Sequence, residues 1–184
     1  MIVLIPLGET REVTVAALQW PLARLFRQRI TVADKIALPE DTWNKNRQQY
    51  FAPSLLALIY PPSPADRSLA VADVDVYAPG LNFVFGQADT GKKRALISLR
   101  RMRQEFYGLP PDERLLRERM LKEAIHELGH TYGLRHCPSG ACVMRFSSHL
   151  DHTDAKVPEF CPTCHRELVR RMSIDDTASP KTGK

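Results

Sequence analysis

The sequence predicts an α+β fold, in which a mixed β-sheet has helices packed against it. Three features carry this. The chain opens on a continuous apolar run, Met1 to Leu7, that reads as a buried strand. Two later stretches, Thr14 to Arg29 and about Thr42 to Tyr60, space their apolar residues as helices do. From Leu69 to Leu99 the pattern changes to period two, with Ala72, Val74 and Val76 alternating with Asp73, Asp75 and Tyr77. The order strand, helix, strand, helix and then strands implies a mixed sheet covered by helices.

The first strand is bounded by Gly8. In Thr14 to Arg29 the inward positions are Val15, Leu18, Leu22, Leu25 and Phe26, and Pro21 predicts a kink or a late helix start. Ile30 to Leu38 reads as a second strand. The next helix turns Leu55, Leu56 and Ile59 inward, with Pro53 as an interruption. Asn82 to Ala88 and Ala95 to Leu99, joined by the polar turn Asp89 to Lys93, read as a hairpin. Pro110 and Pro111 suit the first turn of a long helix, and Asp112 and Glu113 suit its N-terminal dipole. Leu116, Met120, Ala124, Leu128 and Thr131 trace its inner face. It should run to about Tyr132, where Gly133 stops it, because glycine accepts the left-handed conformation. A short helix is expected over Cys164 to Met172. Asp175 to Lys184 hold no apolar cluster and are expected to be a disordered tail.

The 184 residues fit one domain, or one domain split into two lobes, and at 43% apolar content a full core can form. No apolar run reaches the roughly 20 residues of a membrane span. No basic segment or cleavage site marks the first residues as a signal peptide, so a cytoplasmic protein without membrane contact is expected. The net charge of +5 is spread over separate segments, so it does not point to nucleic acid. Arg100 to Arg103 reads as a solvated face.

The chemistry sits in His126-Glu127-Leu128-Gly129-His130-Thr131-Tyr132-Gly133-Leu134-Arg135-His136. Residues four apart lie one turn above each other, so His126 and His130 can point two imidazoles at one ion. Glu127 lies one step round, within reach of a water on that ion. The turn at Gly133 lets His136 return as third ligand. Three protein ligands leave a position open, which is the catalytic arrangement of zinc. The expected reaction is peptide-bond hydrolysis by a zinc-bound water, with Glu127 as general base. Cys137, Cys142, Cys161 and Cys164 form two closely spaced pairs. They read as a closed structural zinc site, against the alternatives of disulfides, a redox pair or free thiols. Two zinc ions per chain are therefore expected.

The run from His126 to Met144, HELGHTYGLRHCPSGACVM, resembles the archaemetzincins, a branch of the metzincin zinc peptidases. Arg47 to Tyr50, Leu81 to Gly86 and Ile97 to Arg100 also look like that family. The resemblance implies a metzincin fold over residues 1–174. An upper lobe, to about Gly133, holds a twisted sheet and two long helices. A cleft separates it from a small lower lobe, from about Leu134 to Ile174, with a zinc knuckle and a final helix. It implies that Met144 lies in a tight turn beneath the catalytic zinc. It also implies that Phe83, Val84, Phe85 and Gly86 belong to an edge strand above the cleft, which a peptide substrate could pair with. An interior strand is the alternative. Phe146 stands where some metzincins carry a tyrosine, so no further metal ligand is expected from it. His149, Asp151, His152 and Asp154 read as a solvated loop that could border the cleft. The expected partner is a peptide or unfolded protein, met by a monomer. Whether the action is that of an endopeptidase or an aminopeptidase is left open. The competing reading is a zinc-stabilised binding module with little hydrolysis, and an intact Glu127 speaks against it.

Overall fold

The computed structural model of the chain describes residues 1–63 and 66–178, with side chains described through residue 175. Its main sheet has five strands: β1 (Ile2–Leu7), β2 (Ile30–Val32), β5 (Arg67–Ala72), β7 (Gly86–Asp89) and β8 (Arg94–Ser98). The spatial order is β2-β1-β5-β8-β7, with β7 antiparallel and the others parallel. Parallel strands covered on both faces read as unbroken apolar runs. Every residue of β1, β5 and β8 is accordingly buried.

Alternate side chains divide between two cores. On one face Ile2, Leu4, Leu69, Val71 and Ile97 pack with helices α1 (Glu12–Ala16), α2 (Gln19–Phe26) and α4 (Glu113–Thr131). On the other, Val3, Ile5, Leu7, Ala70 and Leu96 pack on α3 (Ala52–Ala57). A small second sheet joins β3 (Trp43–Asn44), β4 (Gln49–Phe51) and β6 (Val76–Tyr77). After Gly133 the chain forms α5 (Leu150–Asp154) and α6 (Pro162–Ala178). The long helices are α4 and α6, of 19 and 17 residues, and the helix beside α4 is the eight-residue α2.

The structure departs from the sequence reading at several places. The stretch from Thr42 begins as a hairpin rather than a helix. The Asn44 Oδ1 accepts the N–H groups of Asn46 and Arg47, and Gln48 takes φ +56°, so the chain reverses. Pro53 then sits in the first turn of α3, where its missing N–H is no loss. Leu55, Leu56 and Ile59 are buried as expected. Around Pro21 the long helix is two short ones, and Pro21 lies in the first turn of the second. The second strand keeps only Ile30–Val32, followed by an isolated bridge from Leu7 to Ile36. Pro110 and Pro111 precede α4, whose N-cap is Asp112: its Oδ1 accepts the Leu115 N–H at 2.8 Å. The last helix runs to Ala178, so the expected tail loses its first four residues to α6, and residues 179–184 lie outside the described residues. Among the described residues no helix is long and apolar enough to cross a membrane.

Candidate metal centre

Helix α4 ends in a stop that the sequence dictates. Gly133 takes φ +82°. The Leu134 N–H donates to the Gly129 carbonyl at 3.1 Å and the Gly133 N–H to the His130 carbonyl at 2.8 Å. This pair of bonds is a Schellman motif, and it turns the chain back toward the helix face. His136 arrives there beside His126 and His130, with ring centroids 5.3 and 4.8 Å away.

Each helical histidine is oriented by a backbone carbonyl. His126 Nδ1 donates to Val143 O and His130 Nδ1 to Leu134 O, both at 2.8 Å. That fixes Nε2 as the lone-pair nitrogen on each ring, the tautomer a metal requires. The two Nε2 atoms stand 3.0 Å apart. Two lone pairs at that distance repel unless they share a cation. An ion held ~2.0–2.1 Å from each nitrogen would set them roughly 3.3 Å apart, so the site fits zinc. The three histidine ligand atoms lie within 4.8 Å of one another. Burial pushes the His126 imidazole well below the ordinary 6.5, and the Lys156 charge adds to this. His130 and His136 are also lowered, chiefly by burial. All three are thus neutral and ready to ligate near neutral pH.

Glu127 is 5% exposed. Burial pushes its carboxyl well above the ordinary 4.5, the Glu123 charge pushes it further, and Lys156 opposes both. Strand β7 comes so close that a Cβ placed on Gly86 would lie 2.6 Å from Glu127 Cγ and 2.7 Å from its Oε1. Glycine at position 86 is therefore what lets the strand and the carboxylate share one wall of the cleft. The cleft holds about 500 Å³ between β7, α4 and the segment Phe146 to His149.

Met144 is fully buried in the tight turn Cys142 to Arg145, closed by the Arg145 N–H on Cys142 O at 3.0 Å. Its Sδ would lie 2.6 Å from a Cβ on Gly129, so the helix needs glycine where the methionine packs. The four cysteines also converge: all are free thiols, and their sulfurs lie within 4.8 Å of one another. Cys137 and Cys161 Sγ are 3.8 Å apart, far beyond a disulfide bond of ~2.05 Å. Four sulfurs ~2.3 Å from a tetrahedral ion would be about 3.8 Å apart, so this site also fits zinc. The backbone N–H of Cys164 draws the Cys161 thiol down to about 7, while burial pushes Cys142 and Cys164 up.

Of the proposed edge strand, only Gly86 lies in β7. Phe83, Val84 and Phe85 lead into it, because the Val84 N–H is drawn to Val76 O at 3.0 Å. All four still line the cleft. Among the described residues β7 is the outermost strand of its sheet. His149 borders the cleft, and the rest of the expected loop is α5. His149 and His152 both meet the Ser148 hydroxyl, and Asp154 binds Arg119 at 2.6 and 2.7 Å. Asp151 is exposed on α5. Arg101 and Arg103 are not a solvated face: they pair with Asp75 and Asp73, and Arg101 backs Phe83 at 4.3 Å. Phe146 stacks on His136 at 5.1 Å.

Sequence reasoning missed the pair Glu123 and Lys156. Their 3.0 Å ion pair is almost wholly buried beside Glu127. Glu123 one turn before Glu127 was the available clue, whereas nothing local marks Lys156.

The sequence profile described as Peptidase family M54 matches residues 65–170. An archaemetzincin of Pyrococcus abyssi is 40% identical over 182 residues, covering 94% of this chain and 96% of its own. The crystal structure of the archaemetzincin of Methanopyrus kandleri is similar with a TM-score of 0.81 at 37% identity, over 94% of this chain and 96% of that one. That of Archaeoglobus fulgidus, complexed with malonate, gives 0.79 at 35% identity, over 91% and 99%.

The histidine shifts fix a pH dependence. Folded values below the ordinary 6.5 mean that the unfolded chain binds protons more readily. This contribution to stability is complete above the ordinary value and is lost as pH falls through the depressed folded values. Metal-stripped protein should therefore lose melting temperature progressively below pH ~6.5. Zinc should raise Tm at pH 7, and that gap should shrink on acidification as protons compete for the imidazoles. Thermal melts across pH, with and without zinc, measure both.

Proposed function

The chain belongs to peptidase family M54, the archaemetzincins, and is a zinc-dependent metallopeptidase of metzincin-like fold; from that premise we propose that His126, His130 and His136 hold its zinc and that Glu127 is the general base. We propose further that Cys137, Cys142, Cys161 and Cys164 hold a second, structural zinc. One observation carries the catalytic assignment: a buried carboxylate, held against the edge strand, shares a cleft with three converging imidazoles.

Zinc in the histidine site supplies Lewis-acid polarisation of the scissile carbonyl and makes a water more acidic. The raised basicity of Glu127 suits its carboxylate to accept a proton from the attacking water and to pass it to the leaving amine. The extended substrate lies along β7. The Ser98 N–H donates to Phe85 O at 2.8 Å, so Phe85, Gln87 and Asp89 bond inward to β8. Gly86 and Ala88 are left to turn their backbone groups to a peptide in the cleft. Both walls of that cleft come from one chain, which supports a monomer acting on peptides or unfolded segments. The free cysteines suit a reducing compartment, which supports a cytoplasmic location.

Zinc-loaded protein should cleave members of a diverse peptide library. Glu127→Ala should keep its metal and lose turnover by roughly three or more powers of ten, as removal of a general base requires. Products are read by mass spectrometry and metal by elemental analysis; normal turnover in the variant would remove Glu127 from the reaction. Gly86→Ala should bind zinc normally but lower kcat more than tenfold, by pushing the Glu127 side chain aside. An unchanged kcat would break the link between strand and base. Cys161→Ser should lose one of two zinc equivalents and lower Tm by at least about 5 °C. Two bound zincs with an unmoved Tm would sink the structural site.

A further inference from the structure

A second cavity, of about 340 Å³, lies where the end of α4 meets the β7–β8 turn and α6. Its walls are basic. Arg67, Lys93, Arg170 and Arg171 all face it, against the carboxylates of Asp175, also in the wall, and Glu167, which binds the last two arginines. Among the described residues, four cations meet two anions there, an excess of positive charge. Arg67 is the buried member, at 4% exposure, with its guanidinium 3.4 Å over the Tyr132 ring. One of its terminal nitrogens binds the Asp175 carboxylate, but its Nε is buried with no acceptor among the described residues. A buried guanidinium whose donors are incompletely met costs free energy that an anion would relieve. Lys93 reaches the other Asp175 oxygen at only 3.4 Å and keeps spare donors.

Asp175 shows what the pocket accepts. Although burial pushes its carboxyl up, Arg67 and Lys93 hold it below the ordinary 3.8, so it sits there as an anion. It supplies one negative charge where the walls call for more. We propose that this pocket is a second ligand site, for a doubly charged oxyanion of the phosphate type, with Asp175 as the internal anion that competes for it. An entering oxyanion takes the place of the Asp175 carboxylate on Arg67 and Lys93 and draws in Arg171, giving charge-assisted hydrogen bonds from at least three side chains. The pocket adjoins the histidine site through two contacts. The Thr90 hydroxyl in its wall donates to the His130 carbonyl at 2.8 Å. Arg171 packs on the helix stop, with one guanidinium nitrogen 2.5 Å from where a Cβ on Gly133 would lie. Occupancy should therefore stiffen the turn that brings His136 home.

The test is calorimetric titration of full-length, zinc-loaded protein with sodium phosphate, with sodium acetate and sodium chloride at matched ionic strength as comparators. Saturable phosphate binding is expected in the parent, with acetate at least about tenfold weaker. Asp175→Asn removes the competitor and should tighten phosphate about fivefold, whereas Lys93→Ala and Arg171→Gln should each weaken it by about that factor or more. The opposite signs separate this site from phosphate caught at the metal, which none of these changes should affect. Equal affinity in all four proteins, or no saturable binding in either the parent or Asp175→Asn, overturns the proposal. Acetate binding as tightly as phosphate overturns the double charge. Should Lys93→Ala fail to fold, as judged by circular dichroism, Asp175→Asn and Arg171→Gln still decide the matter.

Discussion

Helix α4 buries Arg119, Lys122, Glu123, His126 and Glu127 alongside Leu116, Met120, Ala124 and Leu128. A buried polar or charged group must find a partner or lose several kcal/mol. The partners come almost entirely from the chain that follows His136. Asp154 receives Arg119, and its carbonyl receives Lys122 at 3.0 Å. Thr153 and Lys156 both donate to Glu123. Val143 O accepts from His126. Beyond the Met102 carbonyl, which accepts from Arg119 at 2.8 Å, the segment 143–156 wraps around α4 and supplies, among the described residues, most of the partners of those polar groups. Its own apolar content is modest, so this demand organises the region more than a separate core does.

Glu127 is the exception on that helix. No hydrogen bond from the described residues reaches its carboxylate, while Glu123, one turn earlier, receives two. The Lys156 ammonium completes the difference, since it also donates to Arg145 O at 3.2 Å, just past Met144. One of two adjacent buried carboxylates is neutralised and fixed, and the other is left to the cleft. Lys156 therefore both ties the methionine turn to α4 and prevents Glu123 from competing with Glu127.

What could be read from the sequence follows from how local each determinant is. The convergence of His126, His130 and His136 was legible because helix periodicity and one left-handed glycine fix it within eleven residues. The cysteine cluster was legible from two short spacings, and the hairpin of β7 and β8 from its polar turn. Trp43 to Phe51 was misread because an Asx turn at Asn44 and the left-handed Gln48 overrule a helical apolar pattern. In β5 the all-buried run of a central parallel strand has no period two, whereas the alternation seen from Ala72 belongs to the link between sheets. Glu123 and Lys156 stand 33 positions apart, and no local rule joins them. The same holds for Arg101 and Arg103: a cluster of charge looks solvated until the fold supplies Asp75 and Asp73.

The histidine and cysteine clusters cannot be treated as separate devices on a shared scaffold. Cys137 follows His136 directly, and Cys142 stands two residues before Met144. The Cys137 N–H donates to Met144 O at 2.9 Å, so the segment that bears His136 and the turn that bears the methionine are bonded to each other. The Cys142 thiol receives the Cys161 N–H at 3.4 Å, which carries the same connection on to α6. From α6, Arg171 returns to the helix stop at Gly133, where the path to His136 began. The chain thus closes a loop of contacts around the one histidine of the three that α4 does not itself hold. His136 is exposed, and among the described residues its ring meets the rings of His126, His130 and Phe146 but no hydrogen-bond partner. Its position is therefore set through its backbone, and the cysteine cluster begins at the next residue. On the proposed assignment, a cysteine cluster one residue away would remove freedom from a histidine that the core does not bury.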